Sequence, residues 1–121
     1  MILAIAAILA VPGAASADFV SGNFLYEWCT TDRADDLYWT STARCQAYVI
    51  GVVDAMETHY RVHQISNPEI QKLACIPSSV TAGQLKDTVV KHLAKYPENR
   101  HEGAASATTL AIMIAYPCLE R

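Results

Sequence analysis

Residues 45–60, CQAYVIGVVDAMETHY, carry apolar side chains at intervals of three and four positions. In an α-helix this spacing gathers the side chains on one face, because 3.6 residues complete a turn. The stripe consists of Cys45, Tyr48, Val49, Val52, Val53, Met56 and Tyr60. Ser41 or Thr42 is expected to begin the helix. Gly51 would cost about 1 kcal/mol relative to alanine here, so we expect it to allow the close approach of a second helix.

Capping signals predict further helices on both sides of this one. Ser21 is a suitable N-cap for a short helix that ends near Thr31. Its buried side chains are expected to be Phe24, Leu25, Trp28 and Cys29. Thr81 and Gln84 have the spacing of a capping box, and the helix that they begin stops at Pro97. Its inward-facing side chains are expected to be Leu85, Val89, Leu93 and Tyr96.

Two more helical segments complete the predicted fold. Pro68 is expected to begin a brief helical turn that runs to Ala74. The last helix, from about Gly103 to Tyr116, is almost entirely small or apolar, which predicts burial on all sides. No stretch alternates like a β-strand. The sequence therefore predicts an all-α domain of four to five helices.

The first 17 residues predict an export signal. They are uncharged, mostly apolar, and end in Ala15-Ser16-Ala17, which fits signal peptidase cleavage. No Lys or Arg precedes the apolar run, so a buried N-terminal helix remains the alternative. Cleavage leaves residues 18–121 as one domain with no membrane-spanning stretch. We therefore expect a periplasmic protein with no stable membrane insertion.

Charge argues against nucleic acid as a partner. The formal net charge is −3, and no basic cluster occurs along the chain. Binding to nucleic acid or to an anionic membrane surface needs concentrated positive charge. Both are therefore excluded as predicted partners.

The four cysteines are predicted to form two disulfides, since exported proteins fold in an oxidising compartment. Four cysteines allow three pairings. Cys29 lies late in the first helix and Cys45 early in the second, so an antiparallel arrangement brings them together. The same reasoning pairs Cys75, before the third main helix, with Cys118, after the last. A four-cysteine metal site needs closer cysteine pairs than this chain has.

No residue pattern makes a persuasive enzyme. His59 and His63 have the i, i+4 spacing of a zinc-binding pair, but no acid follows His59 as in zinc proteases. We interpret both as an extension of the buried stripe. Asp54 and Glu57 are expected on a solvated helix face. The sequence thus predicts no catalytic residues, no metal and no cofactor.

The segment between the last two helices is the best candidate for binding a protein. Residues 95–102, KYPENRHE, combine an aromatic ring with arginine, histidine and two acids. Tyrosine and arginine are enriched at binding hot spots. A plain polar connection between helices would have a similar composition. The predicted partner-binding residues are Tyr96, Glu98, Asn99, Arg100, His101 and Glu102.

Several blocks of the sequence together resemble the Rap/Tai family. They are residues 19–25 followed by Cys29, residues 45–55, residues 75–77 with Val80, Thr81, Gln84 and Leu85, residues 89–97, and residues 104–118. The resemblance spans essentially all of residues 18–121. It implies a small helical periplasmic protein, often a homodimer, whose characterised relatives are immunity proteins against type VI secretion amidase effectors. It further implies that a protruding segment blocks the cleft of the amidase.

Three hypotheses of function remain open at this point. The first is a periplasmic immunity or inhibitor protein that occludes a peptidoglycan amidase. The second is a small periplasmic chaperone or stress-related binding module, because a shared fold does not determine a shared function. The third is a metal-binding or enzymatic role through His59 and His63, which stoichiometric zinc in the purified protein would reveal.

Overall fold

The computed structural model describes residues 18–119, so the predicted signal peptide lies outside the described residues. Four α-helices follow one another along the chain: α1 Gly22–Thr30, α2 Tyr38–Ser66, α3 Ala82–Lys95 and α4 Ala104–Ala115. A single 3₁₀ turn, Pro97–Asn99, lies between α3 and α4. Within residues 18–119 there is no strand, and the one β feature is an isolated bridge between Ser21 and Gly103. The all-α prediction is confirmed.

One core is shared by all four helices. Its largest fully buried side chains include one or two from each helix: Leu25, Val49, Val89, Leu93 and Ile112. The predicted inward positions of α3 at 85, 89 and 93 are therefore correct. Thr81 and Gln84 form the predicted capping box, with both reciprocal hydrogen bonds present. Ser21 caps α1 by accepting a hydrogen bond from the backbone N–H of Phe24.

Both predicted disulfides are present. Cys29 bonds to Cys45 and Cys75 bonds to Cys118, each with a Cα–Cα distance of 5.0 Å. The first bond joins α1 to α2. The second joins the irregular segment between α2 and α3 to the residues after α4.

Helix α2 begins earlier than the sequence predicted, at Tyr38 rather than near Ser41. Two aspartate side chains form turns in the loop that precedes the helix. Asp32 accepts a hydrogen bond from the Ala34 N–H, and Asp35 accepts one from the Leu37 N–H. Side-chain turns of this kind bring the backbone to the helix start without a cap residue.

The second half of α2 extends beyond the other helices. Its 29 residues span about 44 Å, twice the length of α3. Residues 61–69 are all exposed. His59 and His63 are exposed too, so the prediction that they extend the buried stripe was wrong. The predicted stripe is fully buried at Cys45 and Val49 and partly buried from Val52 to Tyr60, with Val53 and Met56 still packed against the core.

Three other expectations were wrong. An added Cβ on Gly51 would meet no atom within 4 Å, so no helix within residues 18–119 approaches it closely. Residues 67–80 contain turns but no helix, so the predicted turn after Pro68 does not form a helical element. Phe24 is 56 % exposed rather than buried.

Helix α4 is not buried on all sides, contrary to the sequence prediction. Its buried residues are Ala104, Thr108, Ala111 and Ile112. Leu110 and Ile114 are 49 % and 62 % exposed. The helix therefore lies at the edge of the bundle, with one apolar face towards solvent.

Candidate partner-binding surface

The segment of residues 96–102, which we call the α3–α4 connection, is where the sequence placed the partner-binding residues. Tyr96 ends α3, and its backbone N–H donates to the His92 carbonyl over 3.1 Å. Pro97 cannot continue the helix, and a single 3₁₀ turn follows. Tyr96 and Arg100 are half-buried. The remaining predicted residues are exposed: Glu98, Asn99, His101 and Glu102.

Arg100 anchors the inner side of this connection. Its Nε donates a 2.6 Å hydrogen bond to the Leu93 carbonyl at the end of α3. The guanidinium carbon lies 3.7 Å from the centre of the Tyr26 ring on α1. A cation over an aromatic face is attracted by the negative charge of the ring's π system. The Arg100 side chain thus ties α3 to α1.

The backbone of the connection caps α1. The Arg100 carbonyl accepts a 2.7 Å hydrogen bond from the Asn23 N–H, and the Glu102 carbonyl accepts a 2.8 Å bond from the Gly22 N–H. The first N–H groups of a helix have no partner within the helix. Here the α3–α4 connection supplies carbonyl acceptors for two of these N–H groups. A Cβ on Gly22 would lie 2.8 Å from the Arg100 carbonyl oxygen, so this close approach requires glycine.

These contacts divide the predicted residues into two groups. Arg100 is engaged inside the protein, whereas Glu98, Asn99, His101 and Glu102 point outward. His101 makes a local contact of 2.9 Å between its Nδ1 and the Glu98 carbonyl. The connection is therefore an ordered surface element that presents polar groups to solvent. Its residues remain a prediction as a binding site.

A groove between α3 and α4 begins at the start of the connection. We call it the α3–α4 groove, and its volume is about 250 Å³. Its lining residues are Thr88, Lys91, His92, Lys95, Tyr96, Ala111, Ile114 and Ala115. The floor is apolar and the rim on α3 is basic. Sequence reasoning missed the α4 side, because it predicted that helix to be buried.

No salt bridge of residues 18–119 neutralises the basic rim. Among residues 18–119 the salt bridges join Glu57 to Arg61 and Lys72, and Lys86 to Asp87, so Lys91 and Lys95 take part in none. Burial lowers the pKa of His92, and the nearby charge of Lys95 lowers it further. His92 is therefore held in its neutral form more strongly than an exposed histidine.

A polar recess lies at the other end of the connection. It is lined by Asp18, Ser21, His101, Glu102, Gly103 and Ser106. The connection thus runs from an apolar groove with a basic rim to an acidic, hydroxyl-rich recess. A surface that combines two shapes and two charge signs can discriminate between partners.

A second aromatic surface lies near the start of α2. The rings of Phe24 and Trp28 stack with centres 6.5 Å apart, and the Arg44 guanidinium lies 6.0 Å from the Trp28 ring. Tyr38 and Trp39 meet edge to face at 5.1 Å, and Trp39 is 76 % exposed. Sequence reasoning missed this surface. The adjacent aromatics at 38 and 39 in a polar stretch were the available signal.

The two carboxylates that the sequence analysis singled out on α2 have different surroundings. Hydrogen bonds from Lys72 and Arg61 lower the pKa of Glu57, which holds its carboxylate in an ion-pair network. Asp54 is exposed. Within the part of the chain that the structure describes, no three His, Cys, Asp or Glu side chains are grouped to hold a metal ion.

Together, the fold and this surface define a small helical binding protein with two disulfides. A family model described as Rap1a immunity proteins matches residues 21–118, and the chain belongs to that family. No curated protein and no solved structure matches it. The family supports a non-enzymatic role in which the protein binds a partner effector protein. None of the helices within residues 18–119 is long and apolar enough to cross a membrane.

Proposed function

We propose that this immunity protein works in the periplasm, where it binds and occludes a peptidoglycan amidase delivered by type VI secretion. The family membership supports an effector protein as the partner. The resemblance to Rap/Tai proteins supports an amidase as the class of effector. The observation that carries the choice of surface is the anchoring of the α3–α4 connection, which is held from inside while its outer side chains are free to contact a partner.

Anchoring matters because binding must overcome the entropy cost of ordering flexible groups. The carbonyls of residues 100 and 102 are bonded to α1, and the Arg100 side chain is bonded to α3. The connection is therefore already ordered, and it loses little conformational entropy when a partner binds. A rigid segment of this kind is suited to enter a cleft and exclude substrate from it.

In this mechanism the α3–α4 connection fills the substrate cleft of the amidase. Glu98 and Glu102 contact the cleft walls, and the adjoining groove receives an apolar segment of the effector beside acidic groups that pair with Lys91 and Lys95. Peptidoglycan stem peptides then cannot reach the catalytic nucleophile, which belongs to the effector. Catalytic residues are not required in this chain.

The periplasmic assignment is supported by two features. Residues 1–17 have the pattern of a signal peptide, which would leave residues 18–121 as the mature protein. All four cysteines are in disulfides, which persist in oxidising compartments. Peptidoglycan lies in the same compartment, so effector and immunity protein would meet there.

We extend the proposal to a homodimer, which the family resemblance implies. The outer face of α2 has the room that a second copy needs, because a Cβ on Gly51 would meet nothing within 4 Å. Ala47 and Ala55 are exposed on the same side, one turn away in each direction. Light scattering on the purified protein measures the number of subunits.

Charge reversal on the outer side of the connection tests this function. The double variant Glu98→Lys and Glu102→Lys should weaken binding to the amidase by about 30-fold or more, equivalent to about 2 kcal/mol. Inhibition of peptidoglycan hydrolysis should weaken in parallel. Calorimetry measures the affinity, and release of stem peptides measures the inhibition.

A matched control separates local contact from overall charge. Glu27→Lys with Glu69→Lys makes the same change in net charge at exposed positions elsewhere, and it should bind nearly as tightly as the native protein. Equal weakening by both double variants would remove the connection from consideration. A tightly bound effector without amidase activity would contradict the amidase assignment. Suppressed aggregation of unrelated unfolded proteins would favour the chaperone hypothesis instead.

A further inference from the structure

The two histidines near the end of α2 form a pair that the proposed function does not use. His59 and His63 are one helical turn apart, and their ring centres are separated by 4.1 Å with planes inclined by 32°. Both residues are exposed. The reason for treating them as buried stripe residues therefore does not hold in the folded protein.

The hydrogen bond of His63 orients its ring for metal binding. Its Nδ1 lies 2.9 Å from the backbone carbonyl oxygen of His59. A carbonyl oxygen only accepts, so Nδ1 carries the proton and the lone pair of the neutral ring is on Nε2. Histidine ligands of metals commonly donate their second nitrogen to a backbone carbonyl in this way, which fixes the ring's orientation.

No salt bridge of the described residues competes for either histidine. The salt bridges within residues 18–119 involve neither histidine. Arg61 lies between them in sequence, but two residues along a helix point to different sides, and Arg61 pairs with Glu57. His63 is also in the last turn of α2, where the negative end of the helix dipole favours a cation.

We propose that His59 and His63 together chelate one divalent transition-metal ion of the Zn²⁺ class. Imidazole nitrogen is a good ligand for Zn²⁺, Cu²⁺ and Ni²⁺ and a poor one for Mg²⁺ or Ca²⁺. The spacing of four residues places two imidazoles on one helix face, as zinc-binding helices require. No third ligand from the described chain joins them, so water or a group from another molecule completes the coordination sphere.

Titration of the full protein, prepared without a polyhistidine tag, tests the proposal. ZnCl₂ is titrated in a non-coordinating buffer, with MgCl₂ as the comparison. We expect one Zn²⁺ per chain and no saturable binding of Mg²⁺. In NMR spectra the ring resonances of His59 and His63 should shift together, while those of His92 and His101 stay in place.

The decisive variant exchanges neighbouring residues. The double change His63→Gln with Gln64→His keeps two histidines but separates them by five residues, so they no longer share a helix face. Zn²⁺ affinity should fall at least tenfold, with the helical circular dichroism unchanged. Native affinity in this variant, or no Zn²⁺ binding by the native protein at 1 mM, would overturn the proposal. Half a Zn²⁺ per chain would contradict the expected stoichiometry, because two chains would then share one ion.

Discussion

The two disulfides stabilise regions of opposite character. Cys29–Cys45 joins two packed helices, and Cys45 is fully buried in the stripe of α2. Cys75–Cys118 joins a segment without a helix to the C-terminal residues, and Cys75 is exposed. The same covalent bond adds to the packing of fully buried side chains in the first region, whereas in the second it holds a segment whose core contacts come from the partly buried Ala74, Ile76 and Val80.

Polar contacts also hold the second region. The Cys75 N–H donates to the Tyr116 carbonyl over 2.9 Å. Lys72 pairs with Glu57 at 3.1 Å and lies 5.2 Å from the Tyr60 ring. By contrast, α1 is capped by the α3–α4 connection and buries Leu25 completely. We therefore expect the two ends of the molecule to respond differently to mutation.

Removal of the Cys75–Cys118 bond should have the largest effect. In the loop-entropy model a bond across 43 residues contributes about 4 kcal/mol, against about 3 kcal/mol for the 16-residue span of Cys29–Cys45. The double variant Cys75→Ala with Cys118→Ala should lower the melting temperature by roughly 15–30 °C. Thermal unfolding under oxidising conditions measures this.

Hydrogen exchange then shows where the loss falls. Without Cys75–Cys118, amides of residues 67–80 should lose more protection than those of α1 and α3, because this segment has no helix and no fully buried side chain. Cys29→Ala with Cys45→Ala serves as the comparison and should reduce protection across the bundle. An unchanged melting temperature, or identical exchange patterns in the two variants, would contradict the distinction between the regions.

Two glycine substitutions, one at a crowded and one at an open position, should change stability by an intermediate amount. Gly22→Ala should destabilise the protein by about 1–3 kcal/mol, because its Cβ would meet the backbone of Arg100 at 2.8–3.0 Å. Gly51→Ala is the matched control, since its Cβ meets nothing. It should stabilise the protein by about 0.5–1 kcal/mol through helix propensity. Urea denaturation gives both values, and destabilisation by Gly51→Ala would indicate that a second chain packs against this face.

The smallest expected effect is electrostatic and depends on pH. The pKa of Glu57 is lowered in the folded protein by hydrogen bonds from Lys72 and Arg61. The contribution of Glu57 to the free energy of unfolding is therefore fully present above the pKa of the unfolded state. It disappears as the pH falls through the lowered pKa of the folded state. Glu57→Gln should cost no more than about 1 kcal/mol at pH 7, as for other exposed ion pairs.

Stability measured at acidic pH identifies the cause of the loss in Glu57→Gln. Near pH 3 the difference between Glu57→Gln and the native protein should shrink, because the carboxylate is then protonated in the unfolded state. Asp54→Asn, a change at an exposed carboxylate one turn away that forms no salt bridge in the described chain, should have little effect at either pH. An equal loss for Glu57→Gln at both pH values would attribute it to packing.

Much of the fold was predictable because its signals are local. A capping residue acts on an N–H three positions away, so Ser21 and Thr81 mark helix starts without knowledge of the rest of the chain. The cysteine pairing was predictable from the order of the helices. The start of α2 was not, because Asp32 and Asp35 bond to backbone groups in a loop with no helical period.

The candidate surface was only half predictable. Composition identified residues 96–102 but could not separate Arg100, which ties α3 to α1, from its outward-facing neighbours. It missed the groove beside them, because Ile114, which lines that groove, looks like a core residue in sequence and is exposed in the fold. Composition shows which interactions a side chain is able to make, but its neighbours in the fold decide which of them it makes.

The sequence by itself determined the helices, their caps, the apolar faces and the four thiols available for pairing, since these depend on residues within one or two turns of each other. The tertiary structure decided which apolar faces are covered, that Gly51 is open while Gly22 is crowded, and that His59 and His63 reach solvent. The physical reason is length. Helical periodicity determines which face of a helix a side chain lies on. Burial also requires a neighbouring helix at the same position along the axis, and α2 extends beyond the shorter helices that pack against it.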